Sequence, residues 1–228
     1  MVIFLTNLLS SNLWYNFSME FNPPSVSRLN SQEVLNKTIE IIGSSPLPKE
    51  SKLELVLLLL GRKQGVQLGD FKIAISTEEK RKVIEEFTKE LSDIIKLLDF
   101  LKLEYKVVKG LSDEDGIIGF SVLTTKDNNT LDKFVQADRD GDDKTFGTIL
   151  GFPATAIETY RTDEALNLET ELLPSELQKL KSEGLIPFLL FMPSKKHWAE
   201  ELEWARENQR LVKKEAPKLY EELISGDI

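Results

Sequence analysis

The chain is predicted to fold as an α+β protein, mainly helical, with a small three- to four-stranded sheet covered by helices. Three observations point there. Several segments repeat apolar residues at the three- and four-residue steps of a helix face, most clearly Ile84, Phe87, Leu91, Ile94, Leu98 and Leu101. A few short stretches, such as 117–123, are apolar between polar turns and read as strands. The two signals do not alternate regularly, which argues against a doubly wound sheet. With 228 residues, 41% hydrophobic content and 29% charge spread along the chain, one substantial core can form.

Residues 1–29 read as a tail. The apolar run "MVIFLTNLLSSNLWYNF" is broken by Thr6, Asn7 and Ser10-Ser11-Asn12, lacks a basic flank, and is too short to span a bilayer. A disordered tail is expected, or a mis-assigned start with Met19 as the true one. Either reading makes the expected location cytoplasmic, without a membrane span. Pro23-Pro24 and the serines after it form a linker, and 30–228 is expected to be one α+β domain.

Asn30 and Glu33 have capping-box spacing and open a helix through about Ile42, which Gly43 closes. A second helix spans Lys49 to Leu60; its end, Leu55 to Leu60, is apolar on every side and belongs in the core. Gly61-Arg62-Lys63-Gln64-Gly65 stops it, and Val66 to Ile75 reads as strand or extended linker. Ser76, with Glu79 three residues on, opens the long periodic helix, which runs to about Leu103. Residues 105–108 and 117–123 form a predicted hairpin around a polar turn at 110–116. Asn128-Asn129-Thr130 caps a further helix, helices flank Gly151, and Pro174 opens another that Gly184 closes. "PFLLFM", 187–192, reads as a buried strand. Pro193-Ser194 starts a terminal helix with Trp198, Leu202 and Ala205 on one face, which Pro217 should kink or split.

Composition excludes several chemistries. The chain has no cysteine, so disulfides, thiolate nucleophiles and zinc–thiolate sites are excluded within it. His197 is the only histidine, which rules out multi-histidine metal sites. The 29 basic and 38 acidic residues give a net charge of −9, unfavourable to a broad phosphate-binding surface. No cofactor and no metal site is expected, although carboxylate-bound Mg²⁺ stays chemically open. Asp138, Asp140 and Asp142 have the spacing of calcium-loop ligands, but Asp143 stands where glycine is needed and Ile149 where a glutamate is needed. That stretch reads as a polar turn before an acidic helix start.

The one motif-like stretch is "FGTILGFPATAIETY", Phe146 to Tyr160. Gly151 can end one helix in the left-handed conformation and Pro153 suits the first turn of the next. Ala156, Ile157 and Tyr160 are then expected to pack inward, with Thr155, Glu158 and Arg161 outward. A helix–corner–helix accounts for this spacing, and so does a DNA-binding helix-turn-helix, against which stand Glu158 and the acidic "DRDGDD". Arg62 and Lys63 complement a helix dipole or, alternatively, clamp an anion. His197 at a helix start favours a neutral ring that could serve as a base, or simply a packing residue. Trp198 and Trp204 are expected to fill the core or a groove under the terminal helix.

At "LGFPATAIETY" the chain resembles a small family of archaeal proteins with bacterial relatives, of unknown function, that share a Leu-Gly-[Tyr/Phe]-Pro-x-x-x-[Ile/Val]-Glu corner. Leu60-Gly61 with Lys63, "LKLEYKV" and "FLLFMPS" before a Trp-bearing helix extend the resemblance over about Leu53 to Leu223. It implies a shared fold and no activity. Several members carry a Cys-Cys pair where this chain has Thr155-Ala156, so any thiol chemistry of theirs is lost here.

The leading expectation is a binding module without catalysis, for a small anionic ligand or a protein partner. Arg62, Lys63, Gly151, Pro153 and Thr155 are its candidate binding residues. The alternatives are an enzyme using Glu158 or His197, with or without Mg²⁺ (nucleic acid being an unfavoured partner), and the DNA-binding corner.

Overall fold

The computed structural model describes residues 31–225 apart from 70, 74, 75, 115 and 116. The expected tail, the Met19 start and the Asn30 cap lie outside these. Contacts divide the chain into Met1–Val34 and Leu35–Ile228, and the architecture below is that of the second unit. It is mainly helical with a four-stranded antiparallel sheet, an α+β fold as predicted.

Two helices come first, α1 (Ser31–Ser44) and α2 (Lys49–Leu59), then two short strands, β1 (Gly65–Leu68) and β2 (Phe71–Ile73). The long helix α3 (Thr77–Leu101) begins at the predicted capping box: Glu79 N–H donates to Ser76 Oγ and Ser76 N–H to the Glu79 carboxylate. Strands β3 (Glu104–Glu114) and β4 (Ile117–Thr125) follow. Helices α4 (Asn128–Asp140), α5 (Asp143–Ile149), α6 (Ala154–Thr159), α7 (Leu168–Glu171) and α8 (Pro174–Ser182) lead to the closing pair α9 (Trp198–Glu215) and α10 (Pro217–Ile224), split at Pro217 as expected. Asp127 caps α4, one residue before the predicted Asn128, because its carboxylate accepts from both the Thr130 amide and hydroxyl. Those bonds hold the Asp127 carboxyl below its usual range.

β4 is the centre of the sheet. β3 pairs along one side, while β1 and β2 share the other, β1 against 122–125 and β2 against 117–119. The stretch predicted as strand or linker is thus one sheet edge broken in two. Gly69 makes the break at φ +150°, where any Cβ would overlap the Phe120 carbonyl oxygen. The hairpin differs from expectation in its turn: β3 runs on to Glu114, so most of the predicted polar loop is strand. Backbone pairing does not require apolar side chains on an outer strand, and register shifts near Lys109 absorb the irregularity.

The main core lies between one sheet face and α2, α3, α9 and α10. Leu55, Val56, Leu57 and Leu58, the first part of the predicted apolar run, are fully buried, as is Leu53 before it, while Leu59 and Leu60 are only partly buried. Phe87 of α3 packs edge-to-face on Phe120 of β4 at 5.5 Å between centroids. A second, smaller cluster of Leu123, Leu131, Phe134, Ile149 and Leu150 sits under α4 and α5.

The predicted strand at 187–192 does not form. Ile186–Phe188 make a 3₁₀ turn that buries Phe188, and among the described residues this region contributes one isolated bridge, Ala165 to Ser194. Pro187 supplies no amide for a ladder, and the apolar run is buried as loop instead. No helix among the described residues is long and apolar enough to cross a membrane.

Candidate functional site

The Gly151 corner exists as read from the sequence. Gly151 is left-handed at φ +72°, the Phe152 N–H donates to the Gly147 carbonyl at 3.1 Å, and Pro153 precedes α6. A Cβ on Gly147 would stand 2.9 Å from Ile157 Cγ1, so its lack of a side chain lets α5 and α6 close on each other. A Cβ on Gly151 would stand 2.5 Å from the Arg62 carbonyl oxygen. The corner therefore packs directly on the α2–β1 connector, joined further by the Gln64 N–H donating to the Ile149 carbonyl at 3.0 Å. The fold thus brings Arg62, Lys63, Gly151 and Pro153 into one neighbourhood.

Their charges are engaged from within. Arg62 donates through Nε to Asn208 Oδ1 at 2.8 Å and through Nη2 to Glu207 at 2.9 Å. Lys63 is 3% exposed, its Nζ 2.8 Å from Glu54 Oε2 as an ion pair without hydrogen-bond alignment, and 4.8 Å above the Phe152 ring. Burial pushes the Lys63 ammonium below its ordinary 10.5, and Glu54 only partly opposes the shift.

Lys63→Met is expected to lower stability by roughly 3–5 kcal/mol, since it leaves the Glu54 carboxylate, whose Oε2 is buried, without its cation. The unfolded chain holds the Lys63 proton up to a higher pH than the folded one. Parent stability therefore rises with pH just below 10.5, and the variant lacks that gain. Urea unfolding of both proteins across this range checks the difference in slope.

The start of α6 is likewise occupied. Thr155 Oγ1 donates to Glu201 Oε1 at 2.6 Å, and the Ser194 N–H donates to Glu201 Oε2 at 2.6 Å. Glu201 is 1% exposed. At the start of α6 this carboxylate meets the chain through the Thr155 hydroxyl. Thr155 is accordingly half-buried rather than outward, and Tyr160 is 44% exposed rather than inward. Ala156 is buried and Glu158 and Arg161 are exposed, as predicted.

Glu158 is exposed and does not line the cavity described next. His197 caps α9 with its backbone: its N–H donates to Ser194 Oγ at 3.0 Å, while its ring Nδ1 lies 3.5 Å from the exposed Glu200. Among the described residues no group of three His, Asp or Glu could hold a metal ion. The "DRDGDD" turn is a helix junction, with Gly141 left-handed after α4 and Asp142 accepting from the Thr145 amide at the start of α5. α5 and α6 have seven and six residues, and Arg161 pairs with Asp143 at 3.2 Å, an arrangement that lends DNA reading no support.

On the other side of the corner a half-open groove of about 660 Å³ lies between α5, α6, the end of α4 and residues 189–192. Phe146, Leu150, Phe152, Ile157 and Phe191 line it, Tyr160 and Met192 stand exposed at its mouth, and Asp138, Asp143 and Arg161 form its rim. Phe152 and Phe191 contact at 5.8 Å, and Phe191 meets Trp204 edge-to-face at 5.2 Å, anchoring the wall to α9. Arg161 is left-handed at φ +61° and stacks over Tyr160 at 5.2 Å. None of the predicted site residues lines this groove, although Leu150 and Phe152, on either side of Gly151, do. Set against known protein families, curated proteins and solved structures, the chain matches none.

Proposed function

We propose that the chain is a non-catalytic binding module whose recognition surface is the apolar groove beside the Gly151 corner. One observation carries the reading: an aromatic-walled, half-open cavity in the size range of ligand sites, with Tyr160 and Met192 left exposed at its mouth. Of the two expected ligand classes, the groove favours an apolar group of a protein partner over a small anion. Arg62 and Lys63 face internal carboxylates, and Thr155 is bound to Glu201. The family resemblance carried by the corner assigns no reaction to weigh against this.

A methyl-detected NMR screen tests it. Apolar and aromatic fragments at millimolar concentration are expected to shift the Ile157, Leu190 and Met192 methyl signals, while inorganic phosphate and dicarboxylates leave Arg62 and Lys63 unmoved. Groove methyls silent to every apolar fragment, or anions binding at Arg62 and Lys63, would overturn the reading.

A further inference from the structure

We propose that the groove receives a basic amphipathic segment of a protein partner, its apolar side chain entering between Phe146, Phe152 and Phe191 while a flanking lysine or arginine meets Asp138 and Asp143. This rests on the binding-module reading above and adds the chemistry of the partner.

Small residues, Ala137, Gly141 and Ala156, are set among the aromatic walls of the groove. Such a lining takes carbon, and the donors beside it, Gln67 and Arg161, already bond Ser121 and Asp143. The mouth is built for a protein segment: Met192 is 45% exposed, and an unbranched thioether repacks around different apolar shapes. Tyr160 beside it offers both a ring face and a hydroxyl.

The rim sets the sign of the partner. Asp138 is exposed and has no ion-pair partner among the described residues. Asp143 is held by Arg161 alone, in an exposed pair that another cation exchanges at little cost. Arg161 makes that contact from a left-handed backbone, a conformation that side-chain-bearing residues adopt at some cost and that concentrates at recognition sites. The net charge of −9 adds a field that draws cations toward the surface.

The test titrates the full chain into two labelled amphipathic helical peptides of equal length, one of leucine and lysine and one of leucine and glutamate, followed by anisotropy. The leucine–lysine peptide is expected to bind at least about tenfold more tightly at low salt, and to weaken as salt screens the rim. Tyr160→Ala with Met192→Ala should weaken it about tenfold, Asp138→Lys about fivefold, and Glu40→Gln, an exposed charge on α1 that does not line the groove, not at all. Equal binding of both peptides, still lost with the Tyr160/Met192 pair, overturns the basic partner and leaves the groove reading standing. Binding indifferent to the groove substitutions and weakened by Glu40→Gln is general charge attraction and overturns the inference. Binding of neither peptide also overturns it, and the fragment screen then decides the groove reading alone.

Discussion

Glu201→Ala is expected to lower stability by roughly 3–4 kcal/mol, the scale of two charge-assisted hydrogen bonds lost in a buried setting. The carboxylate joins three separated pieces of chain: Thr155 at the start of α6, Ser194 in the loop before α9, and α9 itself. Alanine leaves the Thr155 hydroxyl and the Ser194 amide as donors facing a void. Glu201→Gln keeps one acceptor and should lose about half as much. Chemical denaturation measures both, and a cycle with Thr155→Val isolates the pair, with a coupling of about 1–2 kcal/mol expected. A loss under about 1 kcal/mol for Glu201→Ala would mean that water replaces these bonds without penalty and that the clamp contributes little.

Gly151→Ala is expected to destabilise by roughly 2–4 kcal/mol. About 1–2 kcal/mol comes from holding a Cβ-bearing residue in the left-handed region, and the rest from the approach to a carbonyl oxygen on the α2–β1 connector, which must give way. Gly141→Ala is the internal control. Gly141 is also left-handed, at φ +68°, but a Cβ there meets nothing within 4 Å, so only the conformational part, about 1–2 kcal/mol, should appear. Equal losses at the two positions would show that the contact with Arg62 carries no energy. Because Phe152 follows Gly151 and walls the groove, Gly151→Ala should also abolish the methyl shifts of the fragment screen.

Much of the fold was legible because its signals are local. The Ser76 capping box, the burial of Leu55 to Leu58 in α2, the split at Pro217 and the Gly151 corner depend on a few adjacent residues. Two errors arose where a local pattern has two tertiary outcomes. "PFLLFM" is buried, but as a turn and loop, since burial does not specify a neighbouring strand. The polar stretch 110–116 reads as a loop yet is largely strand, because pairing with β4 needs only backbone.

The site was less legible. Arg62, Lys63 and Thr155 are prominent in the sequence as free charge and hydroxyl, and their partners Glu207, Glu54 and Glu201 lie at distances in the chain that no spacing rule connects. One signal was available. Trp198, Glu201, Ala205, Asn208 and Val212 step at threes and fours, which puts Glu201 and Asn208 on the buried face of α9 and marks them as polar groups needing partners.

By itself, then, the sequence determined the helical face patterns, the capping and breaking points, the corner and the chemistries closed to a chain without cysteine and with one histidine, because each follows from composition or from neighbours within a few residues. Only the tertiary structure decided that the conspicuous cations and the threonine are matched within the chain, and that an aromatic groove lies beside the corner. Partners and cavities are made by residues that meet only when distant segments pack, and the energy of pairing a charge depends on that meeting.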